Sequence, residues 1–458
     1  MPAQPIDYSF RSRISQAEIP STTYMTHGLY SYPAKFIPHV PYYVISKYGT
    51  RENMVVLDPF AGSATTAVEA LRLGHNCIVM DNNPIVEFLS FVKTMPLDFE
   101  IESIDLDRLL PRIKAWDQPF VPAWTNIDHW IEPEFKPVIE QLWGYLNANP
   151  DGLGTRCLAL LKVAALYVTD YFSNGALDIP KLFRSKSRMK QIEALKIKYK
   201  AKPDLPFTML VDKFTKYHGM VKEFNQHVQK KGISVSHLDR AAIDTLDPST
   251  FADHERFVLG IGGIDSIRFK FPQCLRETVD IIVTSPPYVY AQEYIRSSKA
   301  HLYWLDAIDD TKATDLVKTE IGHRKDLDLS KILRKIGYLP AFRSAFDTLI
   351  EKECDRYGKN GKYTPQIANY FSDMYQIITS MKILLKPGGV FGLFVGNPTV
   401  LGIQVNCSDI FREFFEDLGY KVLEYGYDPI VSRQLLKGRK NDSPDGMSCE
   451  WLLVAQKS

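Results

Sequence analysis

The chain has 458 residues, 45% of them hydrophobic and 24% charged, which excludes a disordered or fibrous protein and allows a large core. Its net charge of +1 excludes bulk basicity, so any surface for a polyanion must come from local clustering. Six scattered cysteines without Cys-x-x-Cys spacing, no N-terminal signal pattern and no run of ~18 apolar residues argue against disulfides, a metal site and a membrane span, and for a soluble cytoplasmic protein.

Residues 1–26 read as a polar leader and 41–48 as a short helix. The apolar run 54–57, the turn 58–66, the run 67–73 and the run 77–81 read as strand, turn, helix and strand. Apolar runs without alternation are what strands buried on both faces show. The stretch 95–232 breaks this rhythm with helical patterns, Trp116, Trp124, Trp130 and Trp143, and repeated prolines. Strand patterns return at 233–238 and 279–283. After the irregular stretch 306–365, residues 370–385 read as an amphipathic helix, Lys386-Pro387-Gly388-Gly389 as a turn, and 390–395 as a strand. A helix at 408–418 and strands at 421–425 and 450–455 close the sheet as a hairpin. The expected architecture is α/β and Rossmann-like with seven strands. Its first core segment is 1–94, followed by a helical insertion at 95–232, a second core segment at 233–305, a second insertion at 306–365 and a C-terminal core segment at 366–458.

Two strand ends carry chemistry. Asp58-Pro59-Phe60-Ala61-Gly62-Ser63-Ala64-Thr65-Thr66 follows the first strand. Gly62 lets backbone approach a ligand with no Cβ in the way, and the helix that starts there offers unpaired N–H groups to an anion. Asp81 ends the next strand, where a carboxylate can accept from both hydroxyls of a ribose. Thr284-Ser285-Pro286-Pro287-Tyr288 follows the strand at 279–283. It gathers a hydroxyl, two carbonyls and an aromatic face at one point, and the Pro-Pro step holds those carbonyls in fixed directions. Such a set suits a planar base bearing an exocyclic amine.

Charge is unevenly spread. Between Lys181 and Lys231 there are 14 Lys/Arg against four Asp/Glu, an excess of ten positive charges in a chain whose total is +1. A basic segment carried by an acidic body is what a phosphate-tracking surface looks like.

These strings resemble the amino-group DNA methyltransferases that use S-adenosyl-L-methionine. Asp58–Thr66 is similar to the family's D-P-F-x-G-S-G-T-T, with Ala64 where glycine is usual, and Asp81-Asn82-Asn83-Pro84 to its D-x-N-P. His27–Phe36 resembles the Y-P-A-K-F element. The resemblance covers roughly 25–94, 233–305 and 366–458. It implies a methyltransferase sheet in which Asp58, Phe60, Gly62, Ser63, Thr65, Asp81, Asn82 and Thr284 hold the cofactor. It further implies that Tyr32, Lys35 and Phe36 close over the methionine end and that Asp239 reaches the adenine amine. Ser285, Pro286, Pro287 and Tyr288 would grip and stack a flipped base.

The serine points to the N4-cytosine branch, with N6-adenine as the alternative. An RNA base methyltransferase and a non-catalytic DNA-binding relative are the remaining readings. C5-cytosine chemistry needs a Pro-Cys nucleophile, and Pro272-Gln273-Cys274 has the wrong order. Lys181, Arg184, Lys186 and Arg188 of the basic insertion, with Arg433 and Arg439 of a late loop, are the expected DNA contacts. A companion restriction nuclease is the partner that a host-protection role would imply.

Overall fold

The computed structural model describes residues 4–32, 36–100, 104–177, 182–289, 294–322, 328–358, 361, 363–430 and 447–458. Its sheet contains β1 (Ile6–Asp7), β2 (Val55–Asp58), β3 (Asn76–Met80), β4 (Ser234–Leu238), β5 (Glu255–Ile261), β6 (Val279–Thr284) and β7 (Leu385–Gly396). A two-stranded ribbon of β8 (Thr399–Val400) and β9 (Ile403–Gln404) stands apart, and β10 (Tyr420–Pro429) and β11 (Cys449–Lys457) complete the sheet. The order is β1-β10-β11-β7-β6-β2-β3-β5-β4. Strands β2 to β7 are joined by parallel pairings, so their C-terminal ends share one edge. β11 runs antiparallel to both β7 and β10.

Helices cover both faces, which is why the central strands are apolar without alternation. On one face, α15 (Tyr363–Leu384) and α16 (Cys407–Asp417) bury Phe371, Met374, Phe411 and Phe414 against Leu57, Ile78 and Leu259. On the other, α2 (His39–Tyr48) and α3 (Thr65–Leu73) bury Val44, Val68 and Leu71 against Val56, Val79 and Val283. A short α1 (Phe10–Arg13) packs at the end of this second layer.

The sheet has nine strands where seven were expected. The strand that neighbours β3 is β5, and the expected third strand is β4, on the outer edge beyond it. The apolar run of β5 is interrupted by Gly260, which masks it in the sequence. That glycine is required, because a Cβ there would collide with Ser90 Oγ of α4 (Ile85–Thr94).

The first insertion supplies α5 (Leu106–Lys114), α6 (Ile127–Trp130), α7 (Lys136–Ala148), α8 (Thr155–Phe172), α9 (Lys186–Ala201) and α10 (Leu205–Gln229). Its Phe135, Trp143, Leu160 and Phe172 share one cluster with Ile85 and Leu89 of α4 and with Leu302, Tyr303 and Trp304 of α11 (Tyr294–Trp304). The insertion is therefore packed into the body. The second supplies α12 (Asp310–Lys318), α13 (Leu329–Ile336) and α14 (Pro340–Tyr357). Ile332, Phe342 and Phe346 pack with α15. Among the described residues, no helix is long and apolar enough to cross a membrane.

Candidate active site

The two chemistry-bearing corners meet. β2 and β6 are direct neighbours, with Val56 opposite Ile281 and Leu57 opposite Ile282. Thr284 Oγ1 donates to Asp58 Oδ1 at 2.6 Å, and Thr66 Oγ1 donates to Oδ2 at 2.5 Å. The Phe60 N–H adds a third bond at 3.1 Å. Asp58 is 1% exposed, and burial pushes its carboxyl up to about 6. Its carboxylate fastens the start of the glycine turn to the end of β6.

The glycine turn is built around Asp81. Its Oδ2 accepts the Gly62 N–H and its Oδ1 the Asn83 N–H, each at 2.8 Å. Burial pushes this carboxyl up to about 6 as well. Gly62 has φ +49°, and a Cβ there would lie 2.8 Å from Tyr32 Cε1, so the tyrosine rests on the bare turn. Below it, the buried Lys93 donates from Nζ to the Ser63 carbonyl at 2.6 Å. Ser63 Oγ pairs with Thr65 Oγ1 at 3.2 Å where α3 begins. A carboxylate beside a Cβ-free turn and a helix start matches a ligand with vicinal hydroxyls and an anionic end. The residues fit S-adenosylmethionine.

Asn82 was expected in this cradle. Both ends of its side chain are taken by the second insertion: Nδ2 donates to the Leu316 carbonyl and Oδ1 accepts from Thr319 Oγ1, each at 3.0 Å. Its neighbour Asn83, fully buried, donates to Ser298 Oγ at 2.6 Å and to Tyr32 Oη at 3.4 Å. Asn83 thereby ties α11 to the aromatic loop over the turn.

The serine–diproline corner is braced from three sides. Tyr370 Oη donates to the Pro287 carbonyl at 2.7 Å. The Tyr288 N–H donates to Tyr294 Oη at 3.4 Å. Tyr288 Oη donates to Glu450 Oε1. The Tyr288 ring crosses the end of β7, where a Cβ on Gly396 would lie 3.1 Å from Tyr288 Cε2 and 2.5 Å from Met447 Sδ. Burial and then the Glu450 charge hold the phenol well above its ordinary pKa, so it is a proton donor. Ser285 is part-exposed, at the mouth of this corner.

The remaining expected residues divide. Phe36 packs on Phe394 of β7, ring centroids 6.0 Å apart. Asp239 ends the edge strand β4, two strands from β3, and its carboxylate accepts the Ala242 N–H. β5 lies between that edge strand and β3. Arg188, expected on DNA, is 4% exposed. Its guanidinium donates to the carbonyls of Asp170, Tyr171 and Ser173 at the end of α8, as a buried cation at a helix C-terminus should. Arg184 bonds His129, while Lys186, Lys190, Lys198 and Lys200 are exposed along α9. Lys35, Lys181, Arg433 and Arg439 lie outside the described residues.

The α8 terminus is also tied to the site. Asp170 Oδ1 pairs with His301 Nε2 at 2.7 Å, and His301 Nδ1 with Tyr30 Oη at 2.5 Å. Tyr30 precedes Tyr32 on the same loop. The sequence reading missed Asn83, Lys93, Tyr294, Tyr370 and Glu450. Two of these left a local signal: Asn83 is the asparagine of the Asp81-Asn82-Asn83-Pro84 string, and Lys93 is a lysine in an otherwise apolar helical run.

Residues 11–88 match the DNA methylase family of N6/N4 type. Across 438 residues the chain is 22% identical to the type II methyltransferase M.MvaI of Kocuria varians, covering 91% of this chain and 86% of that protein. It is 21% identical over 452 residues to the type II methyltransferase M.BsoBI of Geobacillus stearothermophilus, covering 94% and 84%. A shorter stretch of 84 residues is 33% identical to the type II methyltransferase M.MjaII of Methanocaldococcus jannaschii, covering 18% of this chain and 16% of that one.

Proposed function

We infer that this chain is one of the amino-group DNA methyltransferases, and from that premise we propose that it methylates the exocyclic N4 amine of cytosine in double-stranded DNA, with S-adenosyl-L-methionine as donor. One observation carries the reading: the Thr284–Asp58 hydrogen bond of 2.6 Å joins the glycine turn to the amine-gripping corner. When bound, the donor supplies an electrophilic methyl group on a sulfonium sulfur.

Asp81 is suited to accept the ribose hydroxyls, and Gly62 and the start of α3 to receive the carboxylate end. Tyr32 closes over them. An exocyclic amine is a poor nucleophile because its lone pair is delocalised into the ring. Ser285 Oγ and the Pro286 carbonyl accept its two hydrogens and draw the nitrogen toward tetrahedral geometry, which frees that pair. Tyr288 gives the base a stacking face worth ~1–3 kcal/mol. The rate gain then comes from alignment and fixed dipoles, without a covalent enzyme intermediate. The target base has to leave the duplex to enter.

The serine in this corner supports cytosine over adenine through the family resemblance. The exposed lysines of α9 support a phosphate-tracking role for the insertion. A role in host protection alongside a restriction nuclease belongs to the same proposal and rests on the family resemblance alone. The test is mass analysis of nucleosides from DNA incubated with protein and donor. N4-methylcytosine is the expected product, N6-methyladenine would replace the cytosine branch, and 5-methylcytosine or unmodified DNA would sink the reading.

A further inference from the structure

We propose that His301 is a positioning residue that couples the two halves of the site, so that a base held at the serine–diproline corner tightens the donor on the glycine turn. The inference rests on the methyl transfer proposed above and adds to it a residue and a linkage. Tyr294, Ser298 and His301 stand four and three positions apart on α11, which puts them in one stripe along the helix. Tyr294 Oη accepts the Tyr288 N–H at the base corner. Ser298 Oγ accepts from Asn83 Nδ2, two residues after Asp81. His301 Nδ1 pairs with Tyr30 Oη, whose loop lays Tyr32 on the bare turn at Gly62. One helix face thus reaches the base corner, the strand end that holds Asp81 and the aromatic cover of the turn.

His301 is held by more than packing requires. Its buried ring meets Tyr30 edge-on with centroids 5.3 Å apart, and Leu302, Tyr303 and Trp304 beside it are already sealed in the apolar cluster. A buried polar chain costs desolvation, and apolar side chains of similar size often stabilise a fold as well. What the polar chain adds is one defined arrangement. Asp170 only accepts, so His301 Nε2 carries the hydrogen of their 2.7 Å bond. In the neutral ring Nδ1 is then the acceptor for the phenolic hydrogen of Tyr30, at 2.5 Å. The ring cannot turn without losing both bonds, and Tyr30 is fixed with it. Asp170 is itself anchored, since Arg188 of α9 donates to its carbonyl.

The lengths of the three bonds show where a shift enters. The bond at the base corner is 3.4 Å, against 2.6 Å at Ser298 and 2.5 Å at His301. Seating a base on Tyr288 tightens the long bond and draws the start of α11 toward the corner. A packed helix moves as a rigid element, so the two short bonds carry that shift to Asn83 and Tyr30. Tyr30 and Tyr32 are then pressed on the turn, and a donor held there is lost less readily.

The test is a binding cycle read by calorimetry. S-adenosyl-L-homocysteine, the demethylated donor, is used so that no transfer occurs, and the DNA is the shortest duplex that the protein methylates. In the unsubstituted protein the duplex should tighten S-adenosyl-L-homocysteine about tenfold, and S-adenosyl-L-homocysteine should tighten the duplex by the same factor. Tyr30→Phe keeps the ring and removes only the hydroxyl. It should cut the factor to about twofold, as should His301→Leu, and the double variant should lose no more than either alone. Thr169→Val is the control for a merely structural bond. Thr169, next to Asp170 on α8, accepts the Trp143 indole N–H at 2.9 Å and is also buried. Its replacement should lower the thermal midpoint and leave the coupling in place.

An undiminished factor in Tyr30→Phe, an equal loss of coupling in Thr169→Val, or a factor near one in the unsubstituted protein would overturn the inference. If S-adenosyl-L-homocysteine did not bind the unsubstituted protein, or no duplex were methylated, the proposed function would fail and take the inference with it. If both bound and transfer occurred but neither ligand affected the other, the function would stand and only the coupling would fall.

Discussion

At the residue scale, two small side chains in the glycine turn show how magnitudes decide. Ala64 stands at φ +58° and is fully buried. Left-handed backbone costs an alanine about 1–2 kcal/mol. Glycine there would relieve that, but would lose a buried methyl worth about 0.8 kcal/mol and add about 0.4–1 kcal/mol of unfolded-state entropy. These nearly cancel, so Ala64→Gly should alter stability in denaturant by less than about 1 kcal/mol. Gly62→Ala has no such compensation: φ is +49° and the new methyl meets Tyr32 at 2.8 Å. It should weaken donor binding at least about tenfold by calorimetry, through the displaced ring.

On the proposed function, Asp81 would make the same site pH-sensitive. To accept two hydroxyls it would have to be ionised, and burial raises its carboxyl to about 6. Donor affinity should therefore be weak at pH 5, rise about tenfold by pH 7 and stay flat above, since only the deprotonated form binds well. Asp58 shares the same range, so the control is Asp81→Asn, which should bind weakly and without this dependence. Both motifs were legible in the sequence because each is contiguous. Glu450 was not, because it lies 162 positions from Tyr288, and no local pattern announces that a glycine at the end of β7 lets the two side chains meet.

At the element scale, charge was legible but burial was not. The basic run on α9 reads as one surface, yet the helix presents Arg188, Ile192 and Leu195 inward and Lys186, Lys190, Lys198 and Lys200 outward. Lys186→Glu with Lys190→Glu should weaken DNA binding and flatten its salt dependence by about one unit of slope per lost phosphate contact. Arg188→Ala should leave that slope alone and destabilise the fold by about 2–3 kcal/mol, since carbonyls at the end of α8 lose a charged donor. The strand β5 escaped for a related reason. A glycine inside an apolar run looks like a break until Ser90 is seen against it. With β5 in place, Asp239 moves to the outer edge.

At the scale of the whole molecule, the two insertions both brace the site and meet each other where Thr125 bonds Asp310. The first reaches it through Asp170, His301 and Tyr30. The second reaches it through Leu316 and Thr319 on Asn82, and through Glu320, whose carboxylate caps the Ile295 N–H at the start of α11. Sequence alone could delimit these segments by their loss of strand rhythm. It could not say that both pack onto α11, because that helix draws partners from more than a hundred residues on its N-terminal side.

The central claim is that the serine–diproline corner grips an amine beside a separately built donor site. Single-turnover methyl transfer to duplex DNA by Ser285→Ala, with donor affinity measured on the same sample, tests it most directly. Transfer should fall about 10²–10³-fold while the donor still binds within about twofold of the unsubstituted protein, because the link between the two corners is made by Thr284 and Asp58 rather than by Ser285. Undiminished transfer by Ser285→Ala would contradict the claim.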